Sequence, residues 1–191
     1  MGKTRLEAFS DGVMAILITI MVLELKVPLG DDLTALRPMV PVFCSYVLSY
    51  VFLGIYWNNH HHMLHATRHI NGKVLWANPH LLFWLSLVPM TTAWMGENHL
   101  ASTPTAVYGL VLFCAGVAYV ILERAIVAAE GAGSDLAMAI GKDVKGKISS
   151  VLYATAVPLA FVHSLISIAI YVGVAAMWLV PDPRIEGRLR S

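Results

Sequence analysis

Residues 38–57 read PMVPVFCSYVLSYVFLGIYW and contain no Asp, Glu, Lys or Arg. A helix of about 20 apolar residues is long enough to cross the hydrocarbon core of a bilayer. The whole chain has a similar character, since its 191 residues are 58% hydrophobic and only 13% charged. A soluble fold needs more polar material for its water-facing surface. The composition therefore predicts an all-α, polytopic membrane protein.

The net charge excludes one class of partner. At pH 7 the formal net charge is +1. Nucleic-acid-binding proteins usually carry a strong basic field. We therefore expect no nucleic acid partner.

Six apolar segments are predicted to span the membrane within a single domain, 1–191. The last two arise by dividing the apolar stretch 148–180, which is too long for one ordinary span, near His163 and Ser164. Leaving that stretch undivided gives five spans as the alternative. The six predicted spans are 8–27, 38–57, 75–95, 104–122, 148–162 and 164–180.

Lysine and arginine are concentrated in alternate connections. Short loops rich in these residues favour the cytoplasmic side of a membrane. The opposite loops have no positive excess, so both termini are predicted to be cytoplasmic, and an even number of spans agrees with this. The four basic clusters consist of Lys3, Arg5, Arg68, Lys73, Lys142, Lys145, Lys147, Arg184, Arg188 and Arg190.

The first predicted span has two different sides. Ile16, Ile20, Leu23 and Val27 fall within a stripe about 60° wide on a helix that turns about 100° per residue. Thr19 lies at the edge of this stripe, whereas Asp11 projects about 140° away from Ile16. One side could therefore line a path while the other bonds to neighbouring helices. Simple packing of the stripe, and a capping role for Ser10 and Asp11, are the alternatives that spacing leaves open.

The start of this span resembles the signature of a channel family. Arg5, Phe9, Ser10 and Asp11 form the pattern Arg-x-x-x-Phe-Ser-Asp. This pattern is similar to that of the transmembrane protein one-seven-five family, which comprises a lysosomal potassium channel and its prokaryotic relatives. The resemblance covers essentially the whole chain. Supporting matches are Trp57 with His60, Asn78 with Pro89, and the closing residues 181–186.

The resemblance implies a potassium-permeable cation channel without a cofactor, in the inner membrane of a prokaryotic cell. It implies one six-helix repeat per chain and a homotetramer whose four first helices surround a central pore. Potassium and other monovalent cations would be the permeant species, and the lipid bilayer and the other subunits would be the partners. The family lacks the Thr-Val-Gly-Tyr-Gly filter of ordinary potassium channels, and this sequence lacks it too.

The resemblance also implies roles for the residues of the stripe. Ile16 would form the main hydrophobic constriction, and Ile20 and Leu23 would form further apolar rings. Thr19 would offer a hydroxyl close to the narrow zone. Four copies of a bulky aliphatic side chain can hold a pore dry, so opening would require the helices to move.

A hydrogen-bonded scaffold is implied on the opposite side of the first helix. Ser10 and Asp11 would bond to Trp57 and His60 of the second helix and to Asn78 of the third. An unpaired carboxylate at membrane depth is costly, so such bonds are expected.

As part of the signature, Arg5 is assigned to the same scaffold, but helix geometry does not place it there. Extrapolating the helix puts it near the pore stripe, where a positive ring would repel cations. Either the regular helix begins after Arg5, or a neighbouring carboxylate neutralises it.

Five histidines, His60, His61, His62, His65 and His69, surround the end of the second span. On a continuing helix the last three would share one face, where they could bind a metal or sense pH. The other histidines are solitary, which argues against a di-iron enzyme. Only His60 is therefore assigned a role, and neither a metal site nor an enzyme is predicted.

A proton- or sodium-coupled secondary transporter is the alternative function, with Asp11 as the coupling carboxylate. Transporters commonly have helices broken at the midplane. The first span has neither Gly nor Pro between Val13 and Val27, which favours a channel. A purely structural membrane protein is the third possibility.

Overall fold

The computed structural model describes residues 2–131, 134 and 143–179. Within these ranges the chain forms α-helices, one short 3-10 helix and no β-strand, so the all-α prediction is confirmed there. The 3-10 helix, Leu33–Met39, leads directly into the second α-helix. In chain order the α-helices are α1 Lys3–Leu23, α2 Val40–His65, α3 Gly72–Ser86, α4 Val88–Glu97, α5 Ser102–Glu130, α6 Val144–Leu159 and α7 Ser164–Leu179.

The predicted third span, 75–95, is a broken helix made of α3 and α4. The two helices are separated only by Leu87, whose N–H bonds to the carbonyl of Trp84 at 3.2 Å. Pro89 lies in the first turn of α4. Because proline has no N–H, it cannot continue the regular hydrogen-bond ladder at this point. With α3 and α4 counted as one segment, the described residues cross the bundle six times.

Three helical segments are long and apolar enough to cross a membrane by length and composition: α1, the continuous stretch Leu33–Ala66, and α5. Helix α7 is apolar but shorter. Helices α6 and α7 are separate, as predicted from the long apolar stretch, and α7 begins at Ser164. Residue 180, the predicted end of the last span, lies outside the described residues, as do Lys142 and the C-terminal arginines.

Helix α1 is displaced from its predicted bounds of 8–27. It begins at Lys3, so the charged first turn is helical too. Lys3 Nζ lies 3.8 Å from the Glu7 carboxylate, one turn later. It ends at Leu23, which places Val27 outside the helix. Pro28 follows Val27, and a residue before proline disfavours the helical conformation. Val27 is therefore not part of a helical stripe.

Helices α2 and α5 continue beyond their predicted spans. Helix α2 runs eight residues past residue 57, and α5 reaches Glu130 rather than ending near residue 122. Hydropathy detects the apolar part of a helix, whereas backbone hydrogen bonding continues into polar sequence. Helix α6 is shifted towards the N-terminus of the chain and occupies Val144–Leu159 instead of 148–162.

Helix α5 is the central helix of the single chain. Half of its most apolar stretch is buried, against 28% for α1. Its buried face contains Tyr108, Leu112, Ala115, Ala118, Leu122 and Ile126. Helix α1 is less buried and lies at the edge of the bundle of one chain.

Three contacts define what we call the N-terminal end of the bundle, the end at which α1 begins. Lys3 Nζ donates to the carbonyl of His65 at 2.5 Å. A carboxylate oxygen of Glu130, the last residue of α5, accepts the backbone N–H groups of Arg68 and His69, both at 2.6 Å. The starts of α1 and α3 and the ends of α2 and α5 therefore lie together.

Candidate functional site: the two faces of the first helix

Helix α1 packs against the bundle along one stripe. Its buried residues recur every three or four positions, which is the spacing of one helix face. They are Leu6, Ser10, Met14, Leu17 and Met21.

The opposite face of α1 is apolar and exposed in the single chain. Ile16 is 59% exposed, Ile20 is 40% exposed and Leu23 is 76% exposed. Thr19 is also exposed and lies on the same side. All four predicted pore residues therefore lie on a face that remains exposed in the described part of the chain.

The hydroxyl of Thr19 has a defined orientation. Its Oγ1 donates to the carbonyl of Ala15, four residues earlier, at 2.9 Å. A hydroxyl has one donor and two acceptor lone pairs. Because the donor is already used, the oxygen is left as an acceptor on the exposed face.

Three predicted scaffold residues meet in a buried network behind α1. Asn78 of α3 donates through Nδ2 to Ser10 Oγ at 2.9 Å, and Ser10 Oγ lies 2.9 Å from the carbonyl of Leu6, to which it donates. Nε2 of His60 lies 2.7 Å from Asn78 Oδ1. An amide oxygen can only accept, so the imidazole carries a proton on Nε2. The network therefore connects α1, α2 and α3 through side chains that are almost completely buried.

Asp11 and Trp57 form a separate contact beside this network. The indole N–H of Trp57 donates to Asp11 Oδ1 at 3.0 Å. Asp11 is half-buried and Trp57 is exposed. The carboxylate therefore bonds to α2 rather than to the His60 and Asn78 network.

Arg5 lies within α1, on the exposed side. The possibility that the regular helix begins after Arg5 is wrong, since α1 begins at Lys3. Among the residues that the structure describes, no carboxylate lies within ion-pair distance of its guanidinium. Neutralisation of Arg5 within one chain is therefore not seen in the described part.

An ion pair at the far end of α1 was not predicted from the sequence. Lys26 Nζ lies 2.6 Å from a carboxylate oxygen of Glu97, the last residue of α4. This hydrogen bond and the negative charge of Glu97 raise the pKa of Lys26. Both residues were visible as loop charges, but 71 positions separate them and no spacing rule connects them.

A second buried polar cluster joins α2, α4 and α5. Ser49 Oγ lies 2.6 Å from Thr92 Oγ1 and 2.9 Å from the Tyr108 hydroxyl. Hydroxyl groups inside an apolar bundle are stable when they bond to one another. Serine and threonine within apolar segments were the only sequence signal of this cluster.

The histidines do not form the predicted common face. Helix α2 ends at His65, so His69 lies in the following loop, where its Nδ1 is 3.4 Å from the Glu130 carboxylate. The ring of His61 instead stacks between Trp57 and His65, with centroid distances of 5.8 and 6.0 Å. Within the described part of the chain, no three possible ligands lie close enough together to hold a metal ion.

These features define an integral membrane protein, built as a polytopic helical bundle whose first helix has one anchored and one free face. Comparison with known proteins gives the family. Residues 5–89 match the family model described as endosomal/lysosomal potassium channel TMEM175.

Relatives extend this match over the whole chain. A potassium channel of Chryseobacterium sp. is 50% identical over 191 residues, covering 100% of both chains. A potassium channel of Streptomyces collinus is 34% identical over 60% of each chain. The chain therefore belongs to the TMEM175 potassium channel family. A channel family argues against the di-iron enzyme interpretation.

A solved structure agrees with this assignment. The crystal structure of a lysosomal potassium-selective channel TMEM175 homolog from Chamaesiphon minutus superposes with a TM-score of 0.81 at 26% identity. The match covers 93% of this chain and 96% of that chain. The likeness therefore includes nearly all of the bundle rather than the first helices alone.

Proposed function

We propose that the protein is a potassium-permeable channel in which four chains surround a central pore lined by α1. The observation that carries this proposal is the exposed apolar face of α1, with Ile16, Ile20 and Leu23, on a helix whose other face is buried. Lipid would accept such a face, but it would accept the Thr19 hydroxyl on the same side less readily. Placing this side at the centre of an assembly gives this hydroxyl access to water.

Ile16 forms the main constriction in this proposal. A ring of four isoleucine side chains makes a narrow apolar zone from which water is excluded, and a dry zone is a barrier to ions. Ile20 and Leu23 form further apolar rings towards the far end. Opening then requires movement of α1 that widens the ring or turns it out of the ion path.

Thr19 supplies an oxygen ligand beside the constriction. Its donor is used by the Ala15 carbonyl, so its lone pairs are available to a potassium ion that has lost part of its hydration shell. Four hydroxyl oxygens replace less of that shell than rings of backbone carbonyls do. We therefore expect potassium preference to be modest.

The network of Ser10, His60 and Asn78, together with the Asp11–Trp57 contact, positions α1. These bonds lie on the side of α1 away from the proposed pore. They hold the N-terminal half of the helix against α2 and α3, so that movement in the pore is transmitted to the bundle. The segment that follows α1 is joined to α4 through Lys26 and Glu97.

The proposed location is the inner membrane of a prokaryotic cell, with both termini in the cytoplasm. The support is the positive charge of the N-terminal end, where Lys3, Arg5, Arg68 and Lys73 lie. Lysine and arginine in short loops favour the cytoplasmic side. Helix α7 returns to this end, since the Trp178 indole N–H donates to Ser149 Oγ near the start of α6 at 2.8 Å.

The deciding experiment is a measurement of potassium and sodium currents through the purified protein in lipid bilayers. We expect passive potassium current in the wild type. We expect Ile16→Asn to increase the current or to weaken selectivity, because a polar ring hydrates the constriction. Ile121→Asn is the matched control, since Ile121 is an exposed isoleucine on α5, away from α1.

Two results would contradict the proposal. Unchanged permeation in Ile16→Asn would show that Ile16 is not the constriction. Flux that requires a proton or sodium gradient would assign the protein to the coupled secondary transporters, with Asp11 as the first residue to test.

A further inference from the structure

The outer face of α3 carries a row of exposed polar and aromatic side chains that the proposed pore does not use. Lys73, Trp76, His80 and Phe83 fall within an arc of about 80° on a helix that turns about 100° per residue. All four are exposed, and Trp76 is 80% exposed. We call these four residues the α3 outer face.

Several hydrogen-bond donors on this face find no acceptor in the part of the chain that the structure describes. Among the described residues, neither Lys73 Nζ nor the indole N–H of Trp76 has a hydrogen-bond partner, although the backbone N–H of Lys73 is capped by Asn71 Oδ1. The Trp84 indole N–H donates to His80 Nε2 at 3.1 Å. Because Nε2 accepts, the neutral ring of His80 carries its proton on Nδ1. This N–H is the third available donor.

The order of these side chains along α3 follows the depth profile of a membrane leaflet. Helix α3 begins at the N-terminal end of the bundle, with Lys73 in its first turn. Trp76 lies about 4.5 Å deeper along the helix axis and Phe83 about 15 Å deeper than Lys73, at 1.5 Å per residue. Indole groups prefer the headgroup level, and phenyl rings prefer the hydrocarbon. A cation, two further donors and then an apolar ring therefore follow one another from the surface inward.

We propose that the α3 outer face binds one anionic phospholipid of the leaflet at the N-terminal end. The phosphate group accepts hydrogen bonds from Lys73 Nζ and the Trp76 indole, and the ester oxygens lie at the depth of His80. One acyl chain then packs on Phe83. The negative headgroup complements Lys73, and the exposed Arg68 in the preceding loop adds to the positive charge of this end.

The test uses the purified full-length protein and native mass spectrometry with added dioleoyl phosphatidylglycerol or dioleoyl phosphatidylcholine. We expect the wild type to retain phosphatidylglycerol in preference to phosphatidylcholine. Removal of one surface cation weakens binding to anionic lipid by about fivefold, so Lys73→Gln should reduce the preference by that factor. Trp76→Phe keeps an aromatic ring, although a smaller one, and removes the N–H, so it should weaken binding of both lipids.

Control variants distinguish a built site from general surface properties. Lys147→Gln removes a cation from an exposed position in α6, and Trp94→Phe changes a tryptophan of α4, in the other half of the same segment. Neither should alter the preference for phosphatidylglycerol. An equal loss in Lys147→Gln, or no loss in Lys73→Gln, would overturn the proposal.

A neighbouring subunit is the competing occupant of this face. Trp76→Leu separates the two, because a lipid site can be lost without loss of the assembly. We expect the variant to keep the wild-type elution volume on size exclusion in both lipids. Dissociation of the assembly by Trp76→Leu would assign the face to contacts between chains and overturn the lipid proposal.

Discussion

Asn78 of α3 forms one side-chain hydrogen bond to α1 and another to α2. It donates to Ser10 and accepts from His60, and all three side chains are buried. An amide is well suited to this position because it offers a donor and an acceptor in one plane. A leucine of similar size offers neither, and it leaves the Nε2–H of His60 without its acceptor.

Replacing Asn78 with leucine should therefore destabilise the protein. A buried donor left without its acceptor costs about 1–3 kcal/mol of unfolding free energy. The measurement is unfolding of Asn78→Leu and wild type in the same detergent. Asn98→Leu is the control, since the exposed Asn98 side chain donates to the carbonyl of Trp94, one turn earlier in α4. Equal stability of Asn78→Leu and wild type would show that the network contributes nothing to holding α1.

At the scale of the helices, α2 and α4 approach each other at Gly96. A Cβ atom added to Gly96 would lie 2.7 Å from Cα of Val42, which is backbone and cannot rotate away. Glycine therefore allows a close approach of the two helices near the far end of the bundle. The Lys26–Glu97 ion pair adjoins this point and joins the segment after α1 to the same end of α4.

Gly96→Ala should lower stability by about 1–3 kcal/mol, the usual cost of overpacking a close contact. Thermal unfolding of the purified variant measures the effect. Gly54→Ala is the matched control, because a Cβ at Gly54 would meet nothing within 4 Å. That control should be neutral or slightly stabilising, since alanine favours a helix more than glycine does. If both variants behaved alike, the close approach of α2 and α4 would not be what requires glycine at position 96.

At the scale of the whole molecule, one chain leaves the apolar face of α1 uncovered. Exposed faces of this kind are covered by lipid or by other chains. Because this face also carries the Thr19 hydroxyl, an assembly with water at its centre suits it better than lipid does. The proposed homotetramer satisfies this requirement with four copies of the same helix.

The assembled mass tests this arrangement directly. Light scattering corrected for detergent should give four times the 20.8 kDa of one chain. The Ile16→Asn variant should keep this mass, because Ile16 is expected to face the ion path rather than a neighbouring chain. A monomer or a dimer of the wild type would contradict a pore made of four first helices.

The apolar segments, their number and the two sides of α1 follow from the sequence alone. Segment length reports whether a helix can cross hydrocarbon, and a period of 3.6 residues reports which residues share a face. Both are local properties, which is why the division of the last apolar stretch is confirmed at Ser164. The resemblance of the Arg5–Asp11 stretch added the family and a set of residues to examine, since neither spacing nor composition connects Ser10 with Asn78.

Hydropathy missed the ends of α1 and α2 because it does not detect Pro28 or polar turns. Since α2 ends at His65, the predicted common face of His62, His65 and His69 is absent. Tertiary packing decided the rest. It placed α5 at the centre of the bundle. It also brought together residues far apart in the chain, in the Lys26–Glu97 pair and in the Ser49–Thr92–Tyr108 cluster. For α1, local periodicity determined that it has two faces, whereas only the contacts of Ser10 and Asp11 decided which face is anchored and which is free.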